Sequence, residues 1–388
     1  MARKKINQTP SLFDLGESKL PMIENESFLT EQLITYIGNK RTLLDFIGES
    51  VNLVKNRLGK DKLDLLDIFS GSGVVSRYLK QHANRLISND LEGYCYTINK
   101  CFLSNKSEVD YVEVQKHIDN INNHFINNPQ KGFITKLYSP KSEDDIKHGE
   151  RVFYTPRNAM YIDTARQLIE KIPKDIRHFI LGPLITEASV HNNTSGVFKG
   201  FYKNSETGIG QYGGNNKDAL KRIKGEIELR KPVLSNFECK VEIFQEDANK
   251  LVHLIDEVDL VYMDPPYNQH PYGSNYFMLN LINDYVEPSS VSNVSGIPND
   301  WNRSSYNKAK EAYDALLDLC KNVKAKYILI SFNSEGYIKL DQMLKLLSEI
   351  GRVEVMETKY NTFRGSRNLR NRDIHVKEYL YLVEKGVY

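Results

Sequence analysis

The stretch from 63 to 90 constrains this chain more than any other. LDLLDIF (63–69) is a short apolar run, and the glycine-containing turn SGSG (70–73) breaks it. VVSRYLKQHA (74–83) then reads as a helix, and RLISND (85–90) as a second strand that ends on an acid. Strand, glycine turn, helix and strand make one βαβ unit, which commits the chain to a parallel sheet with helices packed on it. Five further strands are expected, in CKVEIFQED (239–247), VDLVYMD (258–264), AKYILISFN (325–333), RVEVMETKY (352–360) and VKEYLYLVEK (376–385). Helices are expected over 308–323 and 338–350. The last two strands flank a basic loop and suit an antiparallel hairpin. Leu43, Leu44, Ile47, Val51 and Val54 recur at helical spacing, so 40–58 reads as an amphipathic helix. The fold expected is a mixed seven-stranded α/β sheet with helices on both faces.

Between the two groups of strands the character changes. Residues 117–132 are rich in Asn, and 192–216 mix Gly, Asn, Ser and aromatics. Neither suits a continuous parallel sheet. An inserted, mostly helical domain over 106–236 is expected, with helices near 157–172 and 176–191 and a long polar loop after them. It divides one sheet domain into 23–105 and 237–388, and the polar residues 1–22 read as a mobile arm. The chain's 388 residues accommodate such an arrangement at about 150 residues per domain.

Composition narrows the function. No run of 18 apolar residues exists, which excludes a membrane-spanning helix, and the basic N-terminus lacks the apolar core of a secretory signal. Cys95, Cys101, Cys239 and Cys320 are scattered without a CxxC pair. That disfavours a zinc module and a disulfide framework, and suits a reducing cytoplasm. Lys plus Arg (52) nearly balances Asp plus Glu (50), so a nucleic-acid surface must come from local segregation of charge. Two stretches show it. Residues 359–377 carry Lys359, Arg364, Arg367, Arg370, Arg372 and Lys377 against Asp373; residues 196–231, with Lys199 and Lys203, hold eight Lys/Arg against four Asp/Glu. Basic side chains of this kind suit phosphate contact, although a solvated polar loop looks the same in sequence.

Three segments carry chemistry. In DIFSGSG (67–73) a glycine turn after a strand lets a ligand approach the backbone, and the next helix offers free N–H groups. The third glycine of a dinucleotide fingerprint is replaced by Ser76, which weakens a nicotinamide-cofactor reading. Asp90 ends the second strand, where an acid accepts hydrogen bonds from ribose hydroxyls. DPPY (264–267) follows an apolar strand. Its prolines stiffen the chain and remove two N–H donors, which leaves the Pro265 carbonyl as an acceptor beside Asp264. Tyr267 adds a flat stacking face. A carboxylate, a carbonyl and an aromatic plane hold a planar base with an exocyclic amine.

With YIGNK (36–40) ahead of DIFSGSG, the order of these segments resembles the Dam-like, alpha-group adenine-N6 DNA methyltransferases of restriction–modification systems. The resemblance covers roughly 27–105 and 237–388. It implies a Rossmann-like class I S-adenosylmethionine-dependent methyltransferase sheet, with the insert in the place of the target-recognition domain. It implies roles for Tyr36 and Lys40 in closing over S-adenosylmethionine. It likewise assigns Asp67, Phe69, Ser70, Gly71, Ser72 and Gly73 to the cofactor pocket, Asp90 to the ribose and Asp247 to the neighbourhood of the adenine. Asp264, Pro265, Pro266 and Tyr267 match the catalytic tetrad, and no metal is implied. The partners implied are double-stranded DNA, whose target adenine is flipped out of the helix, and a cognate restriction endonuclease acting separately. An RNA methyltransferase acting on a base amine shares DPPY but needs no large insert. A non-catalytic DNA-binding protein of the same fold does not require the chemical segments.

Overall fold

The computed structural model describes residues 23–214, 217, 219–334, 336–361 and 375–388. The N-terminal arm 1–22 and Arg364, Arg367 and Arg370 lie outside the described residues. Seven strands form one sheet: β1 (Leu63–Asp67), β2 (Ala83–Asn89), β3 (Lys240–Phe244), β4 (Val258–Met263), β5 (Ala325–Asn333), β6 (Gly351–Asn361) and β7 (His375–Lys385), in the order β3-β2-β1-β4-β5-β7-β6. The first five pair in parallel, and β7 runs antiparallel between β5 and β6. All seven expected strands are present, and the last two pair with each other as anticipated. The expected strand over 63–69 is shorter at its end: Ile68 and Phe69 already belong to the turn.

Alternation along the strands explains how helices cover both faces. Successive side chains point to opposite sides of a sheet. Leu65, Leu86, Leu260 and Leu329 therefore join one apolar cluster with Ile47, Val51 and Val54 of the helix Leu44–Leu58. Their neighbours Leu66, Ile87, Val261 and Ile328 join another, with Leu316 and Leu319 of the helix Ala312–Asn322 and Met343 and Leu346 of the helix Leu340–Ser348. Every residue of β4 is buried, as expected of a central strand covered on both sides.

The inserted segment is mostly helical. Helix Tyr111–Asn127 starts at Asp110, whose carboxylate accepts the Val112 and Glu113 N–H groups, and turns Val114, Ile118 and Ile121 inward. Helices Pro156–Ile169 and His178–Val190 match the two helices expected there. The second is apolar nearly all round, with Phe179, Ile180, Leu184 and Ile185 buried, each stabilising by roughly 1.5–3 kcal/mol. These helices share a third cluster with Tyr94 and Ile98 of the helix Gly93–Phe102 and with Met278 and Ile282 of the helix Phe277–Asp284. The insert is thereby packed against the elements that follow β2 and β4. Among the described residues no helix is long and apolar enough to cross a membrane.

Candidate active site

Strand order reverses between β1 and β4, and open α/β sheets bind ligands outside the carboxyl ends of the strands at such a point. A cleft opens there, walled by the 67–72 turn, Asp90, Asp247, Asp264, Pro266 and the 36–40 segment.

The turn after β1 is held open by its neighbours. Ser70 donates its N–H to the Asn89 carbonyl at 2.9 Å, and Gly71 donates its N–H to Asp90 Oδ2 at 2.8 Å. Asn99 donates to Ser70 Oγ, the Gly71 carbonyl and the Cys95 carbonyl at 3.0, 3.2 and 3.0 Å. Gly71 and Gly73 have φ of +51° and +77°, a region that L side chains enter at a cost. A Cβ at Gly71 would meet the Tyr36 ring at 2.7 Å, and one at Gly73 would meet Asn99 Oδ1 at 2.2 Å. The turn therefore requires glycine at both places.

Asp67 is 1% exposed. Its Oδ2 accepts a hydrogen bond from Ser76 Oγ at 2.6 Å, while Oδ1 is buried without a partner. Burial pushes its pKa up to about 7, and Ser76 only partly offsets that. Ser76, which breaks the dinucleotide fingerprint, thus braces the acid that ends β1. Asp90 accepts the Glu92 N–H on its other oxygen, Oδ1, at 2.9 Å, and burial raises its pKa as well. Phe69 packs edge-on against Tyr306 at 5.1 Å and, with Ser70 and Ser72, walls the cleft. An orphaned carboxylate oxygen, a second acid at the end of β2 and a glycine turn without side chains fit a cofactor bearing an ammonium group, ribose hydroxyls and polar edges.

The 36–40 segment closes the cleft from the other side. The Tyr36 ring stacks on Tyr272 and Tyr276 with centroids 4.8 Å apart in each case. Tyr276 accepts the Ile37 N–H on its hydroxyl at 2.8 Å, and the Tyr272 hydroxyl donates to the Ile37 carbonyl at 3.1 Å. This clamp delivers Lys40, 4% exposed, into the site. Its Nζ lies 3.1 Å from Asp264 Oδ1 and 3.0 Å from Glu378 Oε1. Burial alone would lower the Lys40 pKa, but the two carboxylates outweigh it and hold the ammonium charged.

Asp264 follows the end of β4 and keeps 20% of its side chain exposed toward the cleft. Burial raises its pKa to about 6, with Lys40 pulling it down and Glu378 pushing it up. Among the described residues no backbone N–H donates to the Pro265 carbonyl. The Tyr267 ring lies 6.0 Å from the Lys40 ammonium, edge-on to Phe332 at 5.9 Å, with its hydroxyl 3.8 Å from where a Gly38 Cβ would sit. Burial lifts its pKa to about 12.

Asp247 walls the cleft, but its Oδ1 also caps the helix Ala248–Leu251 through the Asn249 and Lys250 N–H groups. Lys199 and Lys203 are exposed. Lys199 lies near enough to His270, just past Tyr267, to add to the effect of burial in lowering the imidazole's pKa. Lys203 sits over the Phe201 ring at 4.9 Å. Sequence reasoning missed Asn99, Glu92 and Glu378. Glu92 accepts from Asn302 Nδ2 at 3.2 Å and from Asn280, and burial brings its pKa to about 7. The only sequence signal for Glu378 is its place at the head of the apolar run YLYLV (379–383), directly after Lys377.

A class I methyltransferase sheet with an acid, a glycine turn and a DPPY segment around one cleft defines an S-adenosylmethionine-dependent methyltransferase. The family model described as "D12 class N6 adenine-specific DNA methyltransferase" matches residues 36–346. The chain belongs to that family, and it is a site-specific, adenine-specific DNA methyltransferase. It is 32% identical over 359 residues to the Type II methyltransferase M.CviAII of Paramecium bursaria Chlorella virus 1, covering 90% of this chain and 98% of the relative. It is 28% identical to the Type II methyltransferase M.NlaIII of Neisseria lactamica, covering 91% and 99%. With the Type II methyltransferase M.FokI of Planomicrobium okeanokoites the identity is 26%, over 91% of this chain and 53% of the relative.

Proposed function

We propose that Asp264 and the carbonyl oxygen of Pro265 together grip the N6 amine of an adenine rotated out of double-stranded DNA. The observation that carries this reading is the placement of Asp264: its carboxylate opens onto the same cleft as the 67–73 turn, with Oδ1 held by Lys40. The amine is a poor nucleophile because its lone pair is conjugated with the ring. Donating its two N–H bonds to Asp264 and Pro265 favours a tetrahedral nitrogen and localises the lone pair. S-Adenosylmethionine supplies an electrophilic methyl on a sulfonium. Asp67, the 69–73 turn, Asp90 and Asp247 hold the cofactor, so positioning supplies much of the rate. As the N–C bond forms and the C–S bond breaks, positive charge grows on N6, and the Asp264 carboxylate offsets it until a proton leaves to solvent. Tyr267 supplies the stacking plane for the flipped base.

We assign the chain to the Dam-like alpha group; the motif order, with the 67–73 turn before the insert and DPPY after it, supports that reading. The insert 106–236 is the target-recognition domain in this reading, with Lys199 and Lys203 on phosphates beside the cleft. The relatives are named Type II methyltransferases, which supports a role in protecting host DNA from a separately acting restriction endonuclease. A cytoplasmic location suits the four free cysteines. The test is labelled cofactor with plasmid DNA, total RNA and the D264A variant. Label is expected in plasmid adenines with the wild type. D264A is expected to bind cofactor but transfer nothing; transfer at the wild-type rate would overturn the assignment.

A further inference from the structure

We infer that Lys40 and Glu378 are positioning residues for methyl transfer: Glu378, on β7, holds the Lys40 ammonium against Oδ1 of Asp264 and so reserves Oδ2 for the amine. The inference rests on the reading of Asp264 given above. Lys40 bridges the two carboxylates at 3.1 and 3.0 Å with almost no solvent access. Glu378 is itself fixed, 1% exposed, with Oε1 accepting from Ser331 Oγ at 2.7 Å. Its other oxygen, Oε2, is buried without a partner. An unsatisfied buried carboxylate oxygen costs stability. A hydrophobic residue between β5 and β6 would pack at no such cost, so the acid at this position needs a reason other than stability. The contact with Lys40 supplies one. Without Glu378 the ammonium has a single partner and is free to swing into the cleft, taking Asp264 with it.

The charges facing Asp264 come from several elements: Lys40 from the 36–40 segment, Glu378 from β7, Asp67 from β1, and the hydroxyls of Tyr262, Tyr267 and Tyr272. Lys40 favours the ionised acid and Glu378 disfavours it. The two substitutions therefore move the titration of Asp264 in opposite directions, which loss of packing alone does not do.

The test is the pH profile of single-turnover methyl transfer to DNA, with cofactor affinity measured by calorimetry on each variant. The acid limb of the wild type is expected near pH 6, where Asp264 titrates. In K40M the limb moves up by about 1–3 pH units, so the rate lost at pH 7 returns at pH 9. In E378Q the limb moves down, while the plateau rate falls on the order of 100-fold through misplacement of the acid, with cofactor affinity within about twofold of wild type. Should E378Q not fold, E378D keeps the charge but withdraws it from Lys40, and the same fall in plateau rate is expected. Unmoved limbs in both charge variants, or a loss of cofactor affinity in their place, overturn the inference. D264N separates the two levels. An active D264N overturns the reading of Asp264 itself. An inactive D264N beside K40M and E378Q with wild-type profiles overturns the bracket alone.

Discussion

Replacing Gly73 by alanine tests the geometry of the cofactor turn most directly. Gly73 sits at φ +77°, and an added Cβ would lie 2.2 Å from Asn99 Oδ1. Asn99 is 2% exposed and donates to Ser70 Oγ, the Gly71 carbonyl and the Cys95 carbonyl, so it cannot turn aside without breaking those bonds. The left-handed backbone costs about 1–2 kcal/mol, and the hydrogen bonds surrendered cost about 1 kcal/mol each. G73A is therefore expected to lose about 3–5 kcal/mol of stability. Gly59 is the control: its φ is +62° and nothing lies within 4 Å of an added Cβ, so G59A should lose only the backbone share of about 1–2 kcal/mol. Urea unfolding followed at one protein concentration gives both values, provided the slopes stay equal. In an N99A background the cost of G73A should fall to that of G59A, because the clashing atom is gone. G73A should also lose cofactor binding, read by calorimetry, while G59A keeps it. If G73A costs no more than G59A, or if N99A does not relieve it, the packing of Asn99 under the turn is not what fixes its shape.

Asp67 gives a pH test with a definite sign. Its folded pKa is raised to about 7 from the ordinary 3.8, so the contribution is fully present below pH 3.8 and is lost as pH rises through 7. D67N, which mimics the protonated acid, should gain stability over the wild type between pH 5 and 8, on the order of a few kcal/mol. A constant difference across that range in urea titrations would refute it. Asn193 tests the insert. Its Nδ2 donates to the Val152 and Gln211 carbonyls at 2.8 Å each, and its Oδ1 accepts the Gly213 N–H at 2.9 Å, which shapes the 193–213 loop. N193A should weaken DNA binding in a gel-shift titration while leaving calorimetric cofactor affinity intact; equal loss of both would mean the loop supports the whole cleft. K199A should weaken DNA binding across all sequences and lower the salt dependence, by about 0.9 in the logarithmic slope if Lys199 neutralises one phosphate.

The sheet was legible because central parallel strands must be apolar on both faces. VDLVYMD and AKYILISFN could be little else. The helix Tyr111–Asn127 was harder, since its Asn-rich surface hides an inward stripe of Val114, Ile118 and Ile121 at helical spacing. The helix Gly93–Phe102 gave no clear pattern because it buries Thr97 and Asn99 alongside Tyr94 and Ile98. Asn99 is inside to support the turn, which periodicity cannot reveal. In the site, Asp90 and Asp264 were legible as acids at strand ends, and Asp67 only through the family resemblance. Their convergence was not, because it depends on β4 pairing with β1 across the whole insert. Nor could the sequence show that Lys40, read as part of a cofactor-closing motif, directs its ammonium at Asp264.

That convergence sets the electrostatic character of the cleft. Three carboxylates stand at the ends of the adjacent strands β2, β1 and β4, and burial raises the pKa of each. Perturbed acids gathered in a cleft are a mark of function, because stability alone would disperse them. The arrangement favours a cationic cofactor and an amine that becomes positive, and it disfavours the DNA backbone. In the proposed reading a single base enters and phosphates are met outside the cleft, where Lys199 and Lys203 are exposed. Within the site the compensating ammonium among the described residues is Lys40, and it belongs to no strand. It reaches Asp264 from a segment whose Tyr36 ring stacks on Tyr272 and Tyr276 and whose Ile37 backbone is pinned by their hydroxyls. Those two tyrosines follow DPPY in the chain, so the segment that contains the acid also docks the lysine that sets its charge.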